Sequence, residues 1–298
     1  MTPPPSAQAS TMPKSDAVRF SDEEFSFISN LAHNEAGLMI PKEKATMVFA
    51  RLSKRLKVLR LPDFKSYIDI LKSQDAHEER RTLISILTTN VTSFLREDYH
   101  FKVLKEDILP DLIERGRKGA RIRLWSAGCS SGQEAYSMAM TLLTAWPDAK
   151  NHDVKILATD IDPEVLTRAR QGHYDETMLK PLPVDWRQTY FTPVETKASK
   201  LFPSKVYSVN QRLREMITFR ELNLMRPWPF SGKFDVIFCR NVVIYFAQET
   251  QNALWPKFEH VCLPGATLFV GHSERIEPEA NTAFEAIGHT TYRLTATS

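Results

Sequence analysis

Gly128, Gly132 and Glu134 fall within residues 124–140, LWSAGCSSGQEAYSMAM, where a strand-like stretch enters a turn and a helix-like stretch leaves it. That outline suits a nucleotide-binding loop. A phosphate cradle needs a lysine beside the turn or uncovered amides at the helix start. Here there is no lysine, and Glu134 stands in the first helical turn, where a carboxylate repels phosphate. The loop therefore suits a ligand that is cationic where it meets the protein. Further on, ATDID at 158–162 places Asp160 at a strand end, ready to accept hydrogen bonds from ribose hydroxyls. Asp160 lies about 30 residues past the glycines, against about 20 in a dinucleotide site, and the pattern is G-x-x-x-G rather than G-x-G-x-x-G. Both departures disfavour NAD, and the missing lysine excludes Walker-A chemistry. S-adenosylmethionine carries a ribose, an adenine, a cationic sulfonium and an α-amino group but no phosphate, and fits the acidic loop better. A tight strand–helix turn with no ligand remains an alternative at this point.

These residues need a frame, and 298 residues are enough for a full core and two domains. With 42% apolar and 25% charged residues the chain reads as a soluble globular protein. A net charge of +3 is too small to imply nucleic-acid binding by itself. Cys129, Cys239 and Cys262 are far apart, odd in number and without CxxC spacing, which disfavours a disulfide framework or a zinc site and fits a reducing compartment. There is no apolar run of about 18 residues and no signal-peptide core, so a cytoplasmic location is expected.

Residues 1–18, rich in Pro, Ser, Thr and Ala, read as a disordered tail. Residues 19–90 read as a helical domain. Its first helix opens on a Ser21/Glu24 capping box and carries Phe25, Ile28, Leu31 and Ala32 on one face. Further helices are expected over 41–59, from 63, and before Asn90. After a helix at 97–115, short apolar strands at 122–127, 154–160, 216–222, 234–240 and 266–271 alternate with helices at 132–145, 163–171 and 248–260. Such alternation predicts an α/β fold with a doubly wound parallel sheet. TTYRL at 290–294 is a final strand for which an antiparallel placement is open. Residues 172–215 show no clean period and read as an inserted subdomain, with small antiparallel strands around Tyr190-Phe191 and 205–209.

Three strings, TTNVTSFLRE at 88–97, WSAGCSSGQEAYS at 125–137 and FDVIFCRNVVIYF at 234–246, followed by LFVGHSE at 268–274, together resemble the CheR family of chemotaxis receptor methyltransferases. The resemblance runs from about residue 20 to 290. It implies an all-α N-terminal domain ahead of a Rossmann-like S-adenosylmethionine-dependent methyltransferase domain, 91–298, with a small β-subdomain inserted. It also implies methyl transfer to glutamate carboxylates of chemoreceptors, giving glutamyl methyl esters and S-adenosylhomocysteine, in the adaptation step of chemotaxis. By that resemblance Asn90, Thr92 and Arg96 join the domains and touch the cofactor, beside the Gly128 loop. Glu134 engages the methionine end and Asp160 the ribose. Asn223 and Leu224 flank the adenine, Arg240 and Asn241 close the pocket, and Arg96 and Tyr245 lie nearest the transferred methyl.

The chemistry accords with what the sequence lacks. A glutamate carboxylate, with a pKa of about 4.3, is ionised at neutral pH. No general base or metal is required, only alignment, and alignment can supply up to roughly 7–11 kcal/mol. Arg96 can hold the carboxylate through charged hydrogen bonds, and Tyr245 positions rather than takes a proton. Blander roles stay open: an ion pair of Arg96 with Glu97 or Asp98, a helix-dipole role for Glu134, turn roles for Asn223 and Asn241, and a core role for Tyr245. His100, His272 and His289 show no ligand spacing and read as structural. Two other functions are weighed. A nucleic-acid amine methyltransferase would carry an Asn/Asp-Pro-Pro-Tyr turn where this chain has Asn241-Val242-Val243-Ile244-Tyr245. A non-catalytic S-adenosylmethionine-binding signalling protein is the alternative that keeps the cofactor.

For partners, RLSKRLKVLR at 51–60 places Arg51, Lys54 and Arg55 together on a helix. The resemblance implies docking of this basic face on the cytoplasmic helical bundle of methyl-accepting chemoreceptors, in transient association with the membrane. The insertion resembles the subdomain by which some members grip a C-terminal receptor peptide through strand addition. VETKASKLFPSK at 194–205 is longer than their compact turn, which favours tether-independent recognition by a monomer.

Overall fold

The computed structural model describes residues 20–195 and 205–295. The expected tail and most of VETKASKLFPSK lie outside the described residues. The N-terminal part is helical. Helix α1 (Asp22–Ala36) opens on the expected capping box: Glu24 N–H donates to Ser21 Oγ at 3.1 Å, and Ser21 N–H donates to the Glu24 carboxylate at 2.7 Å. Its end is set by Gly37 at φ 72°, where a side chain would press on Met225 Sδ at 2.9 Å. A 3-10 turn over Lys42–Lys44 precedes α2 (Ala45–Leu59), so the helix begins later than expected. Asp63 caps α3 (Phe64–Lys72), and α4 (His77–Leu87) completes the set. Phe25, Ile28, Val48, Leu52, Phe64, Tyr67, Leu71 and Leu83 bury the shared core, each large side chain contributing about 1.5–3 kcal/mol.

Two arginines of the expected basic face are engaged inside this domain, which corrects the sequence reading. Arg51 Nη1 donates to the carbonyls of Ile86, Leu87 and Thr88 at 2.8–2.9 Å, capping the C-terminal end of α4. Arg55 pairs with Glu79 through Nε at 2.9 Å and Nη2 at 2.5 Å, and Tyr67 also donates to that carboxylate. Lys54, Lys57 and Arg60 are the exposed cations of α2 and its end. Arg51→Ala is therefore expected to destabilise the fold by about 1.5–3 kcal/mol, the range for hydrogen bonds to a charged group, and Lys54→Ala by less than about 0.5 kcal/mol. Urea denaturation of both variants checks the contrast.

The helix expected over 97–115 is three pieces: α5 (Tyr99–Val103), a π-helical turn at Leu104–Ile108, and α6 (Leu109–Arg117). Pro110 has no N–H to continue the ladder, and the chain widens just before it. Then follow β1 (Ile122–Ala127), α7 (Gln133–Ala145), β2 (Val154–Asp160) and α8 (Pro163–Gln171). The insertion contains β3 (His173–Asp175), α9 (Val184–Tyr190), β4 (Phe191–Val194), β5 (Val206–Val209) and α10 (Gln211–Arg214). Its strands form the antiparallel sheet β3-β5-β4. After it come β6 (Ile217–Glu221), β7 (Phe234–Cys239), α11 (Gln248–His260), β8 (Cys262–Val270), β9 (Phe284–Gly288) and β10 (Thr291–Leu294).

The main sheet runs β6-β2-β1-β7-β8-β10-β9, parallel through β8, with β10 antiparallel to both of its neighbours. The doubly wound expectation holds. Strand β9 went unforeseen because it is an edge strand with only Phe284 buried, and so has no alternation to read. Pairing of Ala127 with Thr159 and of Ser126 with Phe238 brings the C-terminal ends of β1, β2 and β7 side by side. Gly128, Asp160 and Arg240 thus meet at one edge, where a ligand of such a sheet sits.

Candidate functional site

A cleft at that edge, enclosing about 1220 Å³ with its open mouth, lies between the helical domain and the sheet. Every residue expected in the site lines it: Asn90, Thr92 and Arg96 from the linking segment, and Gly128, Glu134, Asp160, Asn223, Leu224, Arg240, Asn241 and Tyr245 from the strand ends. Met39, Lys44 and Met47 of the helical domain also line it, and nothing in their local pattern marked them. The helical domain is fixed there by Met39 N–H donating to the Tyr245 carbonyl at 2.7 Å and by a one-residue antiparallel bridge between Leu38 and Phe246.

The loop after β1 needs Gly128. Its φ is 82°, and a Cβ there would run into Val242 Cγ2. Glu134 accepts from Ser126 Oγ at 2.7 Å and from Arg240 Nη1 at 3.2 Å, and its burial pushes the carboxyl pKa up against the pull of Arg240. Arg240 is buried and lies 3.0 Å from a second carboxylate, Glu97, which sequence reasoning missed. Burial alone would raise the Glu97 pKa. Hydrogen bonding to His272 at 2.8 Å, the Arg240 charge and the Asn241 amide at 3.2 Å outweigh it and hold it at about 2. Arg240 also donates to the Arg96 carbonyl. The signal for Glu97 was its place in TTNVTSFLRE, but no local rule pairs it with a residue so far along the chain.

Arg96 does not pair with Glu97 or Asp98. Asp98 meets Lys102 at 2.7 Å, and Arg96 Nη1 donates to the Val91 carbonyl at 3.1 Å. Its backbone is held by strain on both sides, since Leu95 and Glu97 adopt φ of 51° and 54°. Left-handed non-glycine residues cost about 1–2 kcal/mol each. Leu95 N–H donating to Ser137 Oγ at 3.0 Å, together with the Arg240 bond, keeps them there.

The walls are tied by side chains expected to face a ligand. Asn90 Nδ2 donates to Asp162 at 2.7 Å, and its carbonyl accepts from Ser130 Oγ at 3.0 Å. Asn223 Nδ2 donates to the Glu35 carbonyl at 2.7 Å, and its Oδ1 accepts from Met225 N–H at 2.9 Å. The Leu224 carbonyl accepts from Lys257 Nζ at 2.5 Å and Trp228 Nε1 at 3.2 Å. The turn after β7 is organised by buried Glu274, whose carboxylate accepts from the amides of Gly271, Asn241, Val242, Val243 and Ile244 at 2.5–3.3 Å. Asn241, at φ 58°, begins this turn, and Tyr245 ends its 3-10 segment, with Lys44 Nζ 5.8 Å over its ring. Thr92 is half-buried. His100 is buried on Thr290 at 2.9 Å, as a structural residue would be, whereas His272 touches Glu97 and so borders the site.

Asp160 accepts from the Ser130 and Asp162 amides at 2.8 and 3.0 Å, and burial pushes its pKa up to about 6 despite them. Hydroxyl donors favour the ionised carboxylate, so binding of a ribose lowers this pKa. Affinity for such a ligand should be full above about pH 6 and fall as the pH drops below it, by up to about tenfold per pH unit. Calorimetric titration from pH 5 to 8 checks this, and Asp160→Asn should flatten the profile.

As a donor set, the cleft offers one carboxylate at a helix start, one at a strand end and an apolar wall that includes Ile161, Leu222 and Leu224. These match an amine or sulfonium, a ribose diol and a base, with no lysine placed at the turn for a phosphate. The described residues contain no group of three or more His, Cys, Asp or Glu arranged to hold a metal ion.

Comparison with known proteins gives the same picture. Residues 23–88 match the CheR methyltransferase all-alpha domain, and residues 90–293 match the CheR methyltransferase SAM binding domain. A probable chemotaxis protein methyltransferase of Rhizobium etli is 45% identical over 265 residues, 89% of this chain and 97% of its own. The chemotaxis protein methyltransferase of Borreliella burgdorferi is 37% identical over 271 residues, 90% of this chain and 93% of its own. That of Escherichia coli is 37% identical over 280 residues, covering 94% and 93%.

Proposed function

The chain belongs to the CheR methyltransferase family, and from that premise we propose that it transfers the methyl group of S-adenosylmethionine to glutamate side-chain carboxylates of membrane chemoreceptors. The observation that carries this reading is the charge balance of the cleft. Arg240 is already met by Glu97 and Glu134, whereas Arg96 lines the same cleft and forms no ion pair among the described residues. A free guanidinium suits a carboxylate acceptor and opposes a cationic amine.

Bound S-adenosylmethionine supplies an electrophilic methyl on a cationic sulfur. Glu134 would hold its amino-acid end beside Gly128, Asp160 the ribose hydroxyls, and the backbone at Asn223 and Leu224 the base. Thr92 and Asn90 close one wall, and Arg240 with Asn241 the other. Arg96 turns towards the acceptor and orients its carboxylate, which arrives ionised and needs no base. Tyr245, with the Lys44 ammonium 5.8 Å over its ring, helps to position the acceptor. Too firm a grip by Arg96 would blunt the nucleophile, so orientation is its main contribution.

Docking on the receptor draws on the exposed Lys54, Lys57 and Arg60, an attraction that weakens with salt. No helix among the described residues is long and apolar enough to cross a membrane. The protein works as a monomer in the cytoplasm and meets its membrane receptors transiently. The test is incubation with radiolabelled S-adenosylmethionine and receptor-bearing membranes, scoring label released as methanol at high pH. Base-labile label on the receptor supports the reading. Cofactor binding with only base-stable label, or none, overturns it.

A further inference from the structure

We infer that an apolar rim at the mouth of the cleft, made by Met39, Val91 and Ile244, is the seat for the receptor segment that bears the acceptor glutamate. This inference rests on the glutamate-transfer reading above. The three side chains are 53, 77 and 43% exposed. Large apolar residues scattered singly over a surface need no explanation. These come from three separate segments, each of which contributes residues to the cleft lining. Met39 and Val91 line the cleft, and Ile244 immediately precedes Tyr245 on the 3-10 turn, whose carbonyl accepts the Met39 N–H. The Val91 carbonyl is the one that holds the Arg96 guanidinium. The segments that carry these apolar groups therefore meet both Arg96 and Tyr245.

The occupant follows from reach and charge. A glutamate carboxylate sits on a short side chain. For it to meet Arg96, the backbone that carries it must come down to the mouth, and neighbouring side chains must then lie on whatever forms the rim. The lining carries three cations, and with Arg240 paired to Glu97 and Glu134, Lys44 and Arg96 are the two that form no ion pair among the described residues. Two such cations beside exposed apolar side chains complement a carboxylate flanked by apolar side chains. A small free carboxylate would gain nothing from such a rim. With Arg51 and Arg55 engaged internally, short-range seating falls to this rim, and the remaining cations of α2 supply attraction at longer range.

The test compares the full-length Met39→Ser/Val91→Ser/Ile244→Ser variant with the wild type and with Val184→Ser, which alters a 59% exposed apolar residue in the inserted subdomain. Receptor-bearing membranes serve both for transfer kinetics and for co-sedimentation. The triple variant is expected to show a receptor KM raised about tenfold, kcat within about threefold and correspondingly weaker pelleting, with Val184→Ser unchanged. An unchanged KM and equal pelleting in the triple variant overturn the inference. So does an equal loss in Val184→Ser, which marks a general surface effect. Dimerisation of the wild type, abolished in the triple variant by sedimentation velocity, assigns the rim to a second copy and overturns it as well. Wild-type pelleting without transfer defeats the glutamate reading, and loss of that pelleting in the triple variant then upholds the rim only as a receptor contact and overturns it as the seat of an acceptor glutamate.

Discussion

Arg96→Ala is expected to lower kcat/KM for receptor methylation about 10²-fold, with a much smaller change in S-adenosylmethionine affinity. The magnitude follows from what Arg96 does. A hydrogen bond to a charged group contributes about 1.5–3 kcal/mol, and misplacing a reactant by about 1 Å can reduce a rate about 10²-fold. The guanidinium is available because it forms no ion pair among the described residues and its bond to the Val91 carbonyl is exposed to solvent. Arg96→Lys keeps the charge but loses the planar fork and should fall between the two. Steady-state kinetics on receptor membranes, paired with equilibrium dialysis of the cofactor, separates the effect on transfer from the effect on binding. A variant with unchanged transfer would return Arg96 to a structural role.

Arg240→Ala is expected to be the most destabilising single change in the site, by about 3–5 kcal/mol, because it strands two carboxylates that share one buried cation. Glu97 lies at 3.0 Å and Glu134 at 3.2 Å from that guanidinium, and the Arg96 carbonyl loses its donor as well. The pH dependence carries a definite sign. Glu97 is held at about 2, below its ordinary 4.5, so its pairing stabilises the wild type above about pH 4.5 and is lost as the pH falls towards 2. The variant keeps the His272 and Asn241 bonds to Glu97 but lacks the Arg240 part of this contribution. The stability gap between the two proteins should be widest near neutrality and narrow below about pH 4.5. Urea denaturation across that range measures it. A gap that is constant with pH would mean that Arg240 acts through packing on Phe101 and Phe238, 5.6 and 5.7 Å away, rather than through charge.

The sequence disclosed those parts of the molecule whose cause is local. Strands β1 and β2 were placed to the residue because each is a short apolar run closed by a turn. Helix α8 was placed as well because Asp162 caps it and Pro163 opens it. Most residues expected in the site stand in contiguous strings, with Asp160, Asn223 and Leu224 outside them, and all of the expected residues line one cleft. What escaped depends on partners far along the chain. Arg51 and Arg55 look solvated in sequence because the groups that bind them lie 24–37 residues away. Glu97 and Glu274 gave no sign that one would neutralise Arg240 and the other would gather five backbone amides. The amides of Asn90 and Asn223 hold walls together, a role that motif position cannot distinguish from ligand contact. The contribution of Met39 and Lys44 required knowing how the helical domain docks.

The most direct test of glutamate methylation is mass spectrometry of receptor peptides after reaction with the purified protein and S-adenosylmethionine. The predicted result is the mass of one methyl group located on glutamate side chains and removed by mild alkali. Methylation located on lysine, arginine or another nitrogen, stable to the same treatment, would contradict it.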